Sequence, residues 1–374
     1  VDKRQIKIGI GAFLIVLLAT MIGIKPFLFR AIYHNFPNIY SYGLFVNREI
    51  PAKSPGRPWV VSAQKISDPD TNTVSLLEKT KTTAVLVIEN GQIVYEKYSL
   101  NGGVDTISGS FSMAKSIVSL LYGFALQEGR IKSLDEPISH YLTEWEGRIE
   151  GKITIRNLLQ MASGLNWKEQ YWNPFNVTTE AYYGNDLYST TFKQFTIEPP
   201  GTHFSYQSGT AQLLGLILTR AVNENLSTYF SKRLWIPLGA EKNALWSLDH
   251  ENGMEKAFCC ITATARDYAR IGEFVRLNGK WGDKELLNES YIQQMLTPSN
   301  LPDRKGRARN DYGYQWLILD TLQGKVYFAW GIYGQYIVVI PQKNRVLVRL
   351  GMNSGKMIDH YPEELTALIH WVAQ

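Results

Sequence analysis

Apolar and polar positions follow three different rhythms along this chain. Two strand-like runs, Ala84–Ile88 and Gln92–Tyr98, flank Asn90-Gly91. That pair marks a two-residue hairpin, because both residues accept the positive φ that the turn requires. From Ser116 to Ala125 the chain becomes almost pure hydrocarbon, the signature of a helix buried on every side. Helical patterns dominate from about 112 to 250, with a break at Ser133-Leu134-Asp135-Glu136-Pro137 and a restart at Ile155 capped by Thr154. A helix over Ala211–Ile217 follows Pro199-Pro200-Gly201 turn chemistry. Strand-like runs return at Lys325–Trp330, Gln335–Ile340 and Arg345–Leu350, and Tyr361–Val372 reads as a closing helix. Strands at both ends with helices between predict an α+β domain, one sheet built from distant segments with a helical insert beside it. A cleft belongs at the seam.

Two stretches stand outside this rhythm. Lys3, Arg4 and Lys7 precede an uncharged run from Ile8 to Ile24 that Lys25 and Pro26 close. The run is just long enough to span a bilayer and lacks an A-x-A-like cleavage site, so an uncleaved signal anchor is expected over residues 1–30. Positive residues ahead of the span put the body of the chain outside the cytoplasm, periplasmic or on the outer face of the membrane. Residues 31–80 read as a stalk and N-terminal extension running into a helix, and 81–374 as the main domain, with its helical insert at about 130–250 and its sheet from about 81–125 and 255–374. The second stretch, between Trp167 and Phe195, is irregular and crowded with aromatics, among them Tyr171, Trp172, Tyr182 and Tyr183. Aromatic density argues against disorder in so long a loop and for a lid.

Composition sharpens the picture by exclusion. The chain has 374 residues, 45% hydrophobic and 12% aromatic, ample for a full-sized core, and a net charge of +5. That charge is too diffuse for nucleic acid, and the dense basic run Arg304–Arg309 reads as a solvated loop. Six scattered histidines and two adjacent cysteines, Cys259 and Cys260, form no metal-ligand pattern, so neither metal nor cofactor is expected. Neighbouring cysteines fit disulfide geometry poorly, and the pair is read as buried thiols.

The candidate chemistry sits where the hydrocarbon run begins. Ser112-Met113-Ala114-Lys115 places a hydroxyl and an ammonium one helical turn apart on one face. A lysine in a dry helix loses its proton more easily, and a neutral amine can activate the serine as a nucleophile. Ser62-Ala63-Gln64-Lys65 has the same spacing in a polar stretch with nothing to strip water from Lys65. Tyr206-Gln207-Ser208 lies in a loop just before a helix, where a phenol could relay a proton to a leaving group. Trp330-Gly331-Ile332-Tyr333-Gly334-Gln335 lies at the C-terminal strands; its glycines mark either close approach of another backbone or a bulged corner.

Taken in order, these elements resemble the serine β-lactamase and penicillin-binding-protein-like family, nearest its class C, esterase and 6-aminohexanoate-oligomer hydrolase branch. Supporting phrases are Gly129–Pro137, Thr154–Leu159 through Ser163-Gly164-Leu165, and Thr264–Arg270. The resemblance implies an antiparallel sheet flanked by helices, a helical domain, and a site between them. It implies Ser112, Lys115 and Tyr206 as catalytic residues and the backbone N–H groups of Ser112 and Ile332 as the oxyanion hole. Ser208, Gly331, Tyr333, Tyr171 and Trp172 would bind substrate. Ser208 replaces the family's Y-x-N asparagine, and Ala329-Trp330-Gly331 lacks the K-T-G lysine. Both departures favour an esterase or amidase over efficient penicillin hydrolysis; the expected partner is a small-molecule ester, amide or peptide substrate. A D-Ala-D-Ala carboxypeptidase or β-lactamase, and a non-catalytic wall- or partner-binding scaffold, are the alternative readings.

Overall fold

The computed structural model of the protein describes residues 7–9, 11, 23, 25–34 and 37–374. The expected anchor, Ile8–Ile24, lies almost wholly outside them, and among the described residues no helix is long and apolar enough to cross a membrane.

The hairpin forms as the pattern dictates: Thr82–Glu89 pairs with Gln92–Tyr98, and Asn90 and Gly91 turn at φ +50° and +76°. It joins the C-terminal strands Leu317–Thr321, Gly324–Gly331, Gln335–Ile340 and Arg345–Gly351 in one sheet. Arg345–Gly351 runs antiparallel beside Thr82–Glu89, so the two ends of the chain meet at the sheet centre. Successive side chains point to opposite faces. Ala84, Leu86 and Ile88 enter one core and Val85 and Val87 the other. Helices Thr71–Lys79 and Glu363–Ala373 lie over one face, while Ala265–Arg276 and Met113–Gln127 cover the other. Burial on both faces explains why Thr82–Glu89, Gln335–Ile340 and Arg345–Gly351 read as largely apolar runs rather than alternating ones.

Met113–Gln127 is the central helix. Every residue from Met113 to Ala125 is buried, between the sheet and the helices Ser208–Val222 and Glu289–Met295. Burying each large apolar side chain there stabilises the fold by roughly 1.5–3 kcal/mol. Gly123 is required by packing, since a Cβ would stand 2.4 Å from the Tyr291 ring. Tyr291 in turn donates its hydroxyl proton to the Ser119 carbonyl. Thr154 caps Ile155–Leu159 through a reciprocal box with Asn157.

Three expectations are corrected. The segment read as a stalk is part of the body: Asn47–Ile50 pairs with Ala244–Ser247 in a second, four-stranded sheet, and Val60–Val61 adds a parallel edge to the main one. A four-residue strand surrounded by Pro, Ser and Lys carries too little periodicity to be seen alone. The aromatic stretch contains helices Val177–Tyr183 and Leu187–Phe192, capped by Asn176 and Asp186. Cys259 and Cys260 are joined by a disulfide, although they pack in a buried cluster as expected. Cys260 sits at φ +75°, a backbone state that the general geometric argument did not anticipate.

Candidate active site

Ser112 stands at the junction of the two sheets and the helical layer. The short strand Ser108–Gly109 delivers the chain, and Ser110 locks it by donating its N–H to the Ile261 carbonyl and accepting the Ile261 N–H on its hydroxyl. Phe111 then turns at φ +44°, a left-handed state costing a side-chain-bearing residue about 1–3 kcal/mol. Packing holds it there, including an edge-on contact with Tyr333. The strained turn leaves Ser112 partly exposed at the helix start, where its hydroxyl makes no capping bond.

Lys115 Nζ lies 2.8 Å from Ser112 Oγ and donates to the Phe258 carbonyl at 2.7 Å. The side chain is buried, and desolvation depresses its pKa to about 8, partly opposed by the charge of Glu169. The Phe258 carbonyl is itself placed. Gln212 accepts the Ala257 N–H, and the Trp246 indole donates to the carbonyls on either side, at Lys256 and Cys259. Ser62 and Lys65 provide the internal contrast: Lys65 is exposed and donates to the Ile93 carbonyl instead. Spacing alone does not make the pair.

Tyr206 comes to the same point from the loop before Ser208–Val222. Its ring centroid is 5.0 Å from Lys115 Nζ, and its phenol interacts with the Ser112 side chain. Burial raises the phenol's pKa, and the interaction with Ser112 moderates the rise. Gln207 anchors this loop by donating to the Leu165 and Trp167 carbonyls. Ser208 is buried, and its hydroxyl and N–H both donate to Glu169. Tyr171 also interacts with Glu169.

The third wall is the hairpin turn at 331–335. A Cβ on Gly331 would stand 2.2 Å from the Ser110 carbonyl, so glycine is required where the strand passes the nucleophile loop. Among the described residues, neither the Ser112 N–H nor the Ile332 N–H has a hydrogen-bond acceptor. Arg349, fully buried, fixes the turn by donating to the Tyr333 and Gly334 carbonyls at 2.7 Å, with its remaining donors on Thr80, Thr82 and Asn353. Gln335 adds a bond to the Ile332 carbonyl.

Two cavities meet at Ser112 and Ile332. One, of about 340 Å³, also takes in Tyr171, Trp172, Ser208 and Tyr333; the other, of about 300 Å³, takes in Tyr171, Tyr206 and Trp330. All the sequence-chosen residues therefore converge except Gly331, which supports the wall rather than lining it. Glu169, Arg349, Gln335 in its anchoring role and the Phe258 carbonyl were not chosen. Glu169 lay in the sequence only as an acid two residues before Tyr171, and a main-chain carbonyl leaves no signal. Of the basic run, Arg304 and Arg307 are exposed and paired with Glu198 and Asp303, while Arg309 turns inward to the second cavity.

A serine hydroxyl 2.8 Å from a buried lysine, where an antiparallel sheet meets a helical layer, is an arrangement that fits a serine hydrolase of the beta-lactamase type. The chain belongs to the beta-lactamase family, whose model matches residues 71–359. It is 25% identical over 315 residues, 76% of this chain and 79% of the other, to a 6-aminohexanoate-dimer hydrolase from Paenarthrobacter ureafaciens. In fold it is similar to a Bacillus anthracis protein assigned as a 6-aminohexanoate-dimer hydrolase, with a TM-score of 0.78, 24% identity and coverage of 90% of this chain and 91% of that one. A family VIII carboxylesterase shares the fold at a TM-score of 0.65 and 14% identity, over 84% and 99% of the two chains.

Proposed function

We propose that this enzyme cleaves an ester or amide through an acyl-enzyme on Ser112. The observation that carries the reading is the 2.8 Å approach of a buried amine, with a pKa near 8, to the serine oxygen. Neutral Lys115 takes the Ser112 proton as the oxygen attacks the substrate carbonyl carbon. The carbonyl's π electrons move to its oxygen, which the N–H groups of Ser112 and Ile332 hold. When the tetrahedral adduct collapses, Tyr206 protonates the departing oxygen or nitrogen and recovers a proton from Lys115. Water then attacks the acyl-enzyme with the same groups acting in reverse, releasing the acid and restoring Ser112. Ser208 takes part through Glu169, because its hydroxyl proton is already committed there.

The N-terminal run Ile8–Ile24 behind Lys3, Arg4 and Lys7 supports a membrane-anchored form with the catalytic domain extracytoplasmic. A fluorophosphonate probe tests the chemistry: labelling of wild type that disappears in Ser112→Ala supports it, and a folded wild type that takes no label refutes it. Nitrocefin and D-Ala-D-Ala peptides assayed beside p-nitrophenyl esters separate the cell-wall alternative. Membrane fractionation of the full chain, with protease accessibility of the catalytic domain, tests the anchoring.

A further inference from the structure

The two cavities at Ser112 differ in chemistry, and Tyr206 tells them apart. A group that protonates the leaving atom must face the leaving group, and Tyr206 lines only the 300 Å³ cavity, with Phe204, Tyr312 and Arg309. The acyl part of the substrate is left with the 340 Å³ cavity on the other side of the serine. Among the described residues, that cavity has no carboxylate, ammonium or guanidinium in its lining. Glu169 stands behind Ser208 and lines neither cavity. The polar side chains that do line it are partly spent: Thr178 bonds Trp167 and Lys168, and Thr179 bonds the Asn173 carbonyl.

One wall comes from outside the region the family model matches. Helix Phe27–His34 packs on Val177–Tyr183 and brings Ala31 and Ile32 to the cavity. Of the residues lining the cavity, Ile32 and Trp172 are also exposed, Trp172 at 77%, so apolar side chains stand where the cavity meets solvent. This helix begins three residues after the uncharged run Ile8–Ile24 ends.

Resting on the acyl-enzyme reading above, we infer that the substrate is an ester or amide with an apolar, uncharged acyl chain, held in the 340 Å³ cavity against helix Phe27–His34. A 6-aminohexanoyl group ends in an ammonium, and this cavity offers it no counter-charge. Moving such a charge out of water without a partner is costly, whereas each buried methylene is favourable.

The test uses p-nitrophenyl acyl esters with the full chain in detergent. From acetyl to octanoyl, kcat/KM should rise roughly two- to fourfold per methylene. The hexanoyl ester should exceed the 6-aminohexanoyl ester at least tenfold. Ala31→Phe should lower the octanoyl-to-butanoyl ratio at least fivefold. Ile32→Glu, at an exposed position that tolerates a charge, should shift the ratio toward the 6-aminohexanoyl ester. A flat chain-length profile, or equal turnover of the charged ester, overturns the inference while Ser112-dependent hydrolysis keeps the acyl-enzyme reading. Folded wild type with neither turnover nor probe labelling overturns both.

Discussion

Glu169 accepts both the hydroxyl and the N–H of Ser208, at 2.6 and 2.7 Å. Its charge acts on Lys115, raising a pKa that burial depresses. Removing that charge while keeping the shape, as in Glu169→Gln, should move the rising limb of kcat/KM to lower pH. A Glu169 that only held the loop together would leave the limb in place.

In the wild type that limb should lie near pH 8, because the neutral form of Lys115 is the base and its pKa is about 8. Lys115→Met should lower kcat/KM by about 10³-fold or more and remove the limb. Steady-state rates from pH 6 to 10 check both.

Linkage gives the same lysine a stability signature. Its folded pKa, about 8, lies below its ordinary 10.5. Between those values the unfolded chain holds a proton that the folded chain has released, so stability rises with pH across this window and levels above it. Buried tyrosines act in the opposite sense near pH 10, so the lysine's share is read as a difference: in urea unfolding, the stability of wild type relative to Lys115→Met should increase from pH 8 to pH 10.

Gly331→Ala would drive a Cβ into the Ser110 carbonyl, with backbone on both sides of the clash. We expect a loss of about 1–3 kcal/mol of stability and a fall in kcat of about 10²-fold, as the Ile332 N–H moves away from Ser112. Denaturation midpoints and single-turnover rates measure the two separately.

Arg349→Met should strip donors from the Tyr333, Gly334, Thr80 and Asn353 carbonyls in a buried site. Each orphaned acceptor costs about 1–3 kcal/mol, so a total loss of about 3 kcal/mol or more is expected in urea unfolding. Even where the variant folds, turnover should fall, because the turn that presents Ile332 loses its anchor.

Much of the fold was legible because its signals are local. Asn90-Gly91 needs only its own φ angles, Thr154 caps a helix three residues away, and the hydrocarbon run after Ser112 leaves a helix nowhere to go but inside. The short strand Asn47–Ile50 was not legible, since its identity comes from pairing with Ala244–Ser247 nearly 200 residues away. Helices Val177–Tyr183 and Leu187–Phe192 were hidden by aromatic side chains with tertiary roles: Tyr182 and Tyr183 wall a cavity, and Phe192 packs on Trp145.

The sequence alone determined which groups could build the site: a serine one turn from a lysine in an apolar helix, a tyrosine before a second helix, and a glycine in a late strand that lets two backbones approach. Each follows from chemistry within a few bonds of itself. Tertiary structure alone decided the lysine's proton affinity, through burial and the charge of Glu169, and the place of the Ile332 N–H, through Arg349. It also set two cavities of different lining against Ser112. Those properties depend on desolvation and on distances between segments far apart in the chain, and no local pattern encodes either.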